Sequence, residues 1–361
     1  MTELLLKLTI SVWPFGQLLS LRVGQSNQVI YLLDILVALL TLSLIIPKKT
    51  RRQILIDKIS PYLLFFVAAG ALSLLVNLYR LDTAQTVKAL FYFLRLLVYP
   101  SLYFAVKSID FKRIKPSLVS SVIIFIGLSI SQYIFFPDAT DLKMLGFDDH
   151  YYRLIGSLFD PNYTGEILVM IGLFAIATNK HLLSVLILPI IAVTYSRASY
   201  MAYLFGLLLI LIRSKKKILL LLLLLIPLSI WISPRPWGEG VNLLRTFSIY
   251  SRIDSWMNGL SLFAQRPIAG WGFNTLSDIN GQRIGIDNSY IFTLATTGLI
   301  GFISYVILLI KSLKQISKSL LFIPVLTILF HSFFNNSFFY IWINASFWLL
   351  IGLGDSSRDK V

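Results

Sequence analysis

Mostly apolar stretches of about 15 to 20 residues, close to the length that a helix needs to cross a bilayer, recur along the whole sequence. Hydrophobic residues make up 57% of the 361 residues, and the mean hydropathy is +0.78. Such a composition excludes a water-soluble globule. We therefore predict an all-α, multi-pass membrane protein that forms a single domain over residues 1–361.

Each apolar stretch predicts one helix, which gives about twelve transmembrane helices in all. Pro14 and Gly16 interrupt the first stretch, so a broken or re-entrant helix is an alternative to a straight span there. The predicted spans are Leu4–Leu21, Val29–Ile46, Pro61–Leu78, Ala89–Val106, Ser117–Phe136, Asn162–Thr178, His181–Tyr195, Ala198–Ile212, Ile218–Ile232, Asp287–Ile310, Leu320–Phe334 and Phe338–Leu353.

Lysine and arginine cluster in alternate loops, at 48–58, 107–115, 180, 213–217 and 311–318, while the loops between them carry most of the acids. Basic residues are retained on the cytoplasmic side during membrane insertion. This alternation predicts cytoplasmic N- and C-termini and an external position for the long 233–286 loop. The net charge of +15 is then explained by topology and by contacts with membrane lipids, so no nucleic acid partner is expected.

Two polar segments, Pro137–Pro161 and the 233–286 loop, interrupt the succession of helices. Loops on a rigid helical scaffold are where binding and catalytic groups usually lie. The longer loop contains Arg252 and Arg266 and is expected to form short amphipathic helices. Trp256 follows Arg252 by four residues, which predicts a membrane-facing indole below a free guanidinium. Such an arginine suits a diphosphate, and simple membrane anchoring is the alternative.

Further polar residues lie at the ends of predicted spans. Arg197 occupies a short external turn, where it is a candidate functional group or an anchor to lipid phosphate. Asp287 and Asn288 precede a span, and we expect Asp287 to cap that helix and, as a carboxylate, to be able to accept a proton. Within the same span, Gly298 and Gly301 would let a neighbouring helix approach closely.

Arg153 and Asn162 flank a turn that is expected to lead into a span. Arg95, Asp34 and His331 lie within spans or near their ends, and internal pairing or hydrogen bonding is the predicted role of each. The three histidines have no metal-ligand spacing, and the chain contains no cysteine. We therefore expect no bound metal and no cofactor.

Ordered motifs in the second half of the chain resemble the O-antigen ligase and O-antigen polymerase family of bacterial membrane glycan-assembly proteins. The resemblance covers residues 153–301, which we take as a ligase/polymerase-type core region. Its motifs are the Arg153…Asn162 stretch, the Ser196-Arg197 turn, Arg252-x-x-x-Trp256 running into Pro267–Gly272, and Asp287-Asn288-Ser289-Tyr290 followed by Thr297–Gly301.

The resemblance implies a metal-independent glycosyltransferase in the bacterial cytoplasmic membrane that uses an undecaprenyl-diphosphate-linked oligosaccharide at the outer face. It implies that Asp287 is the catalytic base and that Arg197 and Arg252 neutralise the departing diphosphate. Other glycan-assembly membrane proteins are expected partners. The implied substrate-binding residues are Arg153, Asn162, Asn288, Tyr290, Arg266 and Trp256.

Ligases that resemble this chain carry histidine before the asparagine, whereas this sequence has Asp287. The difference favours a polymerase, with a second lipid-linked glycan as acceptor. A ligase that uses a lipid or protein acceptor is the alternative within the family. The alternative from another class is a lipid-linked glycan transporter or flippase, in which the same arginines bind a diphosphate without breaking a bond. The lack of an internal repeat argues against the transporter.

Overall fold

The computed structural model describes residues 1–23, 28–214, 218–234, 236, 238–277 and 284–356. The basic residues 215–217, which we used to predict topology, lie outside this part of the chain. The described residues form fifteen α-helices and one antiparallel pair of strands. The helices are α1 (Thr2–Val12), α2 (Leu32–Ile45), α3 (Lys48–Leu55), α4 (Ser60–Asn77), α5 (Thr83–Val98), α6 (Ser101–Lys107), α7 (Phe111–Phe135), α8 (Pro161–Ala177), α9 (His181–Ala192), α10 (Arg197–Ser214), α11 (Ile218–Ile232), α12 (Phe247–Gln265), α13 (Ser289–Gln315), α14 (Phe322–His331) and α15 (Ile341–Ser356).

Several helices have the length and composition of membrane spans. Among the described residues, five are both long and apolar enough to cross a bilayer. They are Ser60–Arg80, Thr83–Lys107, Phe111–Phe135, Arg197–Ser214 and Ser289–Gln315. Shorter apolar helices accompany them, including Leu32–Ile45 and Pro161–Ala177. The mostly helical, membrane-protein character is therefore confirmed, while the number of about twelve spans and their orientation stay predictions.

The first apolar stretch is not a single span from Leu4 to Leu21. Helix α1 ends at Val12, a 3₁₀ segment follows to Leu18, and strands β1 (Ser20–Val23) and β2 (Gln28–Tyr31) then pair. Pro14 lacks the N–H that an α-helix requires, and Gly16 has a φ of +54°. The alternative of a broken helix is therefore correct, and the strand pair is a departure from the all-α prediction.

Both ends of the described chain lie beside the basic segment that joins α6 to α7. Arg113 pairs with Glu3 at 3.0 Å, and Lys107 pairs with Asp355 at 2.8 Å and with Asp57 at 2.6 Å. Helix α7 starts at this end and has 25 residues, which carries the chain about 37 Å to the opposite end. The loop that follows α7 therefore lies far from the two termini.

Helix α13 is broken in the middle, where Gly298 has a φ of +64°. The turn-containing segment Pro267–Gly272 packs into the break. The Leu299 N–H donates to the Pro267 carbonyl at 2.8 Å, and the Trp271 N–H donates to the Ala295 carbonyl at 3.0 Å. A Cβ on Gly298 would meet the carbonyl oxygen of Ile268 at 2.2 Å. The close approach expected at this glycine is thus made by the segment that follows α12 and not by a neighbouring helix.

The helices pack as neighbouring groups around one apolar core. Helix α4 packs on α13, α6 packs on α15, and α8 packs against α9, α10 and α14. The core contains fully buried aromatic residues such as Trp342, Trp348 and Phe338. This packing fixes the starts of α8 and α13, where the predicted site residues lie.

Candidate active site

The two polar segments predicted to carry function contact each other at the end of the bundle remote from the termini. Gly238 lies against the ring of Tyr151, and Gly240 lies against the side chain of Arg153. The Tyr195 hydroxyl donates to the Pro234 carbonyl. The loop before α8 and the loop before α12 therefore form one layer over the turn between α9 and α10.

Arg153 is buried within this layer, with 7% of its surface exposed. Its Nε donates to the Thr194 carbonyl at 3.0 Å and its Nη2 to the Tyr195 carbonyl at 3.3 Å. Burial, together with the nearby charge of Arg245, lowers the pKa of Arg153 to about 9. The guanidinium is still cationic at neutral pH, so the layer contains a buried positive charge.

Arg197, at the start of α10, is directed into the same layer. Its Nη1 donates to the Arg245 carbonyl at 3.0 Å, and its Nη2 donates to the Ser248 hydroxyl at 2.6 Å. These partners belong to the segment that leads into α12. Arg197 therefore holds the long loop on the bundle, and its guanidinium contacts protein in place of the lipid phosphate that an anchoring role requires.

Arg252 and Trp256 lie one turn apart on α12, as their spacing predicts, but both side chains are engaged. Nε of Arg252 donates to the Phe334 carbonyl at 2.9 Å, and Nη2 donates to Oδ1 of Asn335 at 3.4 Å. Nε1 of Trp256 donates to the Asp287 carbonyl at 3.0 Å. The expectation of a free guanidinium above a membrane-facing indole was therefore wrong, because α12 packs on the start of α13.

Asn288, and not Asp287, caps α13. Its Oδ1 accepts hydrogen bonds from the backbone N–H groups of Tyr290 at 2.9 Å and Ile291 at 3.0 Å, and its Nδ2 donates to the Phe333 carbonyl at 2.9 Å. The capping role expected of Asp287 was wrong, because its neighbour is the residue in the N-cap position. The Asp287 carboxylate is consequently not occupied by the helix end.

Asp287 is half-buried beside Arg252. Burial raises the pKa of its carboxyl above the usual value, the charge of Asp148 raises it further, and the charge of Arg252 acts in the opposite direction. The Asp287 N–H donates to the Ser255 hydroxyl at 2.9 Å. A carboxylate with a raised pKa is a better proton acceptor near neutrality than an ordinary aspartate.

The start of α8 has the turn expected from its sequence. Asp160 caps the helix, and its Oδ1 accepts from the N–H groups of Asn162 at 2.6 Å and Tyr163 at 3.1 Å. Burial raises the pKa of Asp160 to about 6. The amide oxygen of Asn162 accepts from the Ser196 hydroxyl at 2.9 Å, which ties α8 to the turn that carries Arg197.

Two predicted substrate-binding residues lie outside this group. Arg266 donates to Oδ1 of Asn77 at 2.7 Å and stacks over Trp271 with its guanidinium carbon 4.7 Å from the ring centre. It follows Arg252 by fourteen positions, or about 21 Å along α12. The Tyr290 hydroxyl donates to the Leu329 carbonyl at 2.8 Å, so this side chain serves packing between α13 and α14.

Arg252 lies within electrostatic reach of the other two predicted catalytic residues. The charge of Arg252 interacts with those of Asp287, Arg197 and Asp160. Within the described residues, the structure shows no carboxylate within salt-bridge distance of Arg197 or Arg252. Their hydrogen-bond acceptors are neutral carbonyl, hydroxyl and amide oxygens. The arrangement can therefore attract an anionic group to a place beside a carboxylate.

Comparison with known families places these residues in context. Residues 182–306 match the model of the O-antigen ligase family. The family resemblance is confirmed. The matched region covers about a third of the chain and includes Arg197, Arg252 and Asp287. A search of the curated proteins found no match. The O-antigen ligase match supports a role in membrane glycan assembly of the ligase or polymerase type.

A cavity of about 340 Å³ lies next to the start of α13. Asp287 is part of its wall, together with Tyr163 and Tyr340, whose rings stack at 3.7 Å with 12° between their planes. Arg95 and Gln17 also line it. Sequence reasoning missed both tyrosines and Gln17, because Tyr340 and Gln17 lie outside the motifs and only the position after Asn162 could have singled out Tyr163.

The internal pairing predicted for Arg95 and Asp34 is confirmed. Nε of Arg95 donates to Oδ1 of Asp34 at 3.0 Å, and Nη2 donates to Oδ2 at 2.6 Å. His331 is likewise hydrogen-bonded internally, to Ser337 at 2.7 Å and to Asn335 at 3.3 Å. Asn335 also accepts from Arg252, so His331 supports a candidate catalytic arginine indirectly.

Proposed function

We propose that this chain is a membrane glycosyltransferase that polymerises undecaprenyl-diphosphate-linked oligosaccharide at the outer face of the bacterial cytoplasmic membrane. The observation that carries the proposal is the position of Arg252, whose charge interacts with those of both Asp287 and Arg197, at the end of the bundle remote from both ends of the described chain. The family match supports this assignment, because all three residues lie inside the matched region.

The proposed reaction is a displacement at the anomeric carbon of the donor sugar. The acceptor hydroxyl oxygen forms a bond to that carbon, and the bond from the carbon to the diphosphate oxygen breaks. The leaving diphosphate takes the bonding electron pair, and its added charge is stabilised by Arg252 and Arg197. Charge-assisted hydrogen bonds from guanidinium groups to phosphate oxygens are among the strongest available without a metal.

Asp287 is the proposed base, which accepts the proton that the acceptor hydroxyl loses. Its backbone is held on both sides, by the Ser255 hydroxyl at the N–H and by the Trp256 indole at the carbonyl. The neighbouring Asn288 fixes the start of α13. We therefore assign Trp256 and Asn288 to the positioning of Asp287, which replaces the sugar contacts expected from the resemblance.

The cavity beside Asp287 is the proposed place for the sugar. Its volume of about 340 Å³ lies within the usual range for small-ligand sites, roughly 300–1,000 Å³. The stacked Tyr163 and Tyr340 rings offer an apolar face beside the hydroxyl-rich ligand, while Asp287 lies at the cavity wall. We propose that Arg153 and Asn162 support the part of the site that binds the anionic diphosphate.

Polymerisation is preferred over transfer to a different acceptor because the chain has Asp287 where the ligases that it resembles carry histidine. Ligase-type transfer to a lipid or protein acceptor is the second candidate, since the matched family is described as O-antigen ligase. Both use the same donor chemistry and differ only in the molecule that supplies the hydroxyl.

The test is the glycan chain-length profile of cells that lack this protein, complemented with wild type, Asp287→Asn or Asp254→Asn. Asp254 is an exposed acid on the same helix as Arg252 and serves as the matched control. We expect single repeat units in the deletion and in Asp287→Asn, with polymer restored by wild type and Asp254→Asn.

Other outcomes contradict the proposal in different ways. Polymer of normal length that fails to reach its final acceptor would identify a ligase. A normal profile in the Asp287→Asn strain would exclude Asp287 as the base. Movement of labelled carrier lipid across vesicles by the purified protein, without chemical change, would identify a transporter.

A further inference from the structure

Three metal-ligating side chains converge beside the candidate active site. Asp148 and His150 lie in the loop before α8, and Asp160 caps the start of that helix. One ligand atom from each of the three lies within 4.8 Å of the others. Atoms bound to one metal ion at about 2.0–2.3 Å are necessarily within about 4.6 Å of each other, so the spacing requires only small movements.

His150 gives an independent indication of a ligand. Only 8% of its surface is exposed, and its Nε2 is buried without a hydrogen-bond partner in the described part of the chain. A buried polar atom without a partner costs about 1–3 kcal/mol unless something binds it.

The two carboxylates are suited to complete the site. Both capping hydrogen bonds of Asp160 go to Oδ1, which makes Oδ2 available to another partner. Asp148 is exposed, so an ion in solution can reach its carboxylate. Arg153 is the nearby opposing charge, but its Nε and Nη2 donate to the carbonyl groups of Thr194 and Tyr195.

We propose that Asp148, His150 and Asp160 bind one divalent cation of the Zn²⁺ or Mn²⁺ type, with water in the remaining positions. The two carboxylates balance the charge of the ion, and the mixture of oxygen and nitrogen ligands suits these metals better than Mg²⁺ or Ca²⁺. From the sequence we expected no metal, because these ligands lack the spacing of a known motif and converge only when the loop folds onto α8.

The cation has a defined consequence for the neighbouring site. It ties the loop at Asp148 to the first turn of α8 and so holds the layer that contains Arg153. It also offsets the negative charge of Asp148, which acts on Asp287. The site lies apart from the proposed transfer step, and its existence does not depend on the proposed glycosyltransferase activity.

The test uses the full-length protein in detergent after removal of metal with a chelator. Binding of Mn²⁺ is followed by electron paramagnetic resonance, and Zn²⁺ is tested by competition, with Asp148→Asn and His150→Gln as variants. Asp149→Asn is the matched control, since Asp149 is the adjacent exposed acid and pairs with Lys143 at 3.8 Å. Asp148 is exposed, so its substitution should leave the fold intact, which size-exclusion chromatography checks.

We expect one equivalent of Mn²⁺ to bind wild type and Asp149→Asn with equal affinity, and Zn²⁺ to displace it. Asp148→Asn and His150→Gln should weaken binding by about tenfold or more, because even the loss of outer partners of a metal site has an effect of about 10–100-fold. The proposal is overturned if wild type binds no Mn²⁺ and no Zn²⁺ at millimolar concentration. It is also overturned if a folded Asp148→Asn protein binds as wild type does, or if Asp149→Asn weakens binding equally.

Discussion

The cap of α13 offers a quantitative test of how Asp287 is held. Replacing Asn288 by alanine removes the acceptor for two backbone N–H groups and the donor to the Phe333 carbonyl. Loss of an N-cap costs about 1–2 kcal/mol. Loss of the donor to a partly buried carbonyl costs about 1–3 kcal/mol. Asn288→Ala should therefore lower the free energy of unfolding by about 2–5 kcal/mol.

Asn288→Ser separates the two contributions. A serine hydroxyl is an equally good N-cap, but it is too short to reach the Phe333 carbonyl. Asn288→Ser should cost only about 1–3 kcal/mol and should be more stable than Asn288→Ala by about 1–2 kcal/mol. Denaturant titration of the purified proteins in detergent, followed by tryptophan fluorescence, measures these differences.

The activity of the same variants distinguishes a cap from a sugar ligand. If Asn288 only positions the start of α13, the serine variant should keep more activity than the alanine variant, in the order of their stabilities. Equal stability of wild type and Asn288→Ala would refute the cap. A serine variant with normal stability and a greatly raised KM would show that the amide binds sugar directly.

Three further predictions concern other parts of the site and scaffold. Arg252→Lys should lower kcat by about 10-fold or more in a transfer assay, because lysine keeps the charge but not the planar fork; a normal rate would exclude a specific diphosphate contact. Burial raises the pKa of Asp287, and the base must be ionised, so kcat should fall as the pH is lowered through a pKa above the ordinary 3.8. A decrease in kcat that occurs only at or below pH 3.8 would contradict this. Gly16→Ala places a Cβ 2.3 Å from the Ser157 carbonyl oxygen at a residue with positive φ, so it should lower the free energy of thermal unfolding by about 1–3 kcal/mol or more. The control Gly127→Ala, whose Cβ would have no atom within 4 Å, should not lower this free energy. Equal effects of the two alanines would refute the packing argument.

Local patterns predicted the helical elements and several local contacts well. The apolar stretches located the helices, the Asp160-Pro161 turn marked the start of α8, and the intramembrane Arg95 and Asp34 proved to be a pair. These features depend on neighbours along the chain or on the high cost of an unpaired charge in an apolar setting. Sequence alone therefore contains their physical cause.

The errors arose where distant segments decide between local alternatives. Asp287 and Asn288 are both good capping residues, and only the packing of α12 and the Phe333 carbonyl against α13 selects Asn288. Likewise, the partner of Arg252 is a carbonyl group 82 positions further along the chain. No periodicity or spacing in one sequence encodes such a contact.

The segment Pro267–Gly272, which fills the break in α13, has a mechanical consequence. Helix α12 is attached to the start of α13 from its middle, through Trp256 and the Asp287 carbonyl, and after its end through Pro267–Gly272. A helix that is attached at two separated points cannot rotate as a rigid body about either attachment. Arg252 and Asp287 must therefore travel together in any opening motion, and the spacing between cation and base is preserved from one cycle to the next.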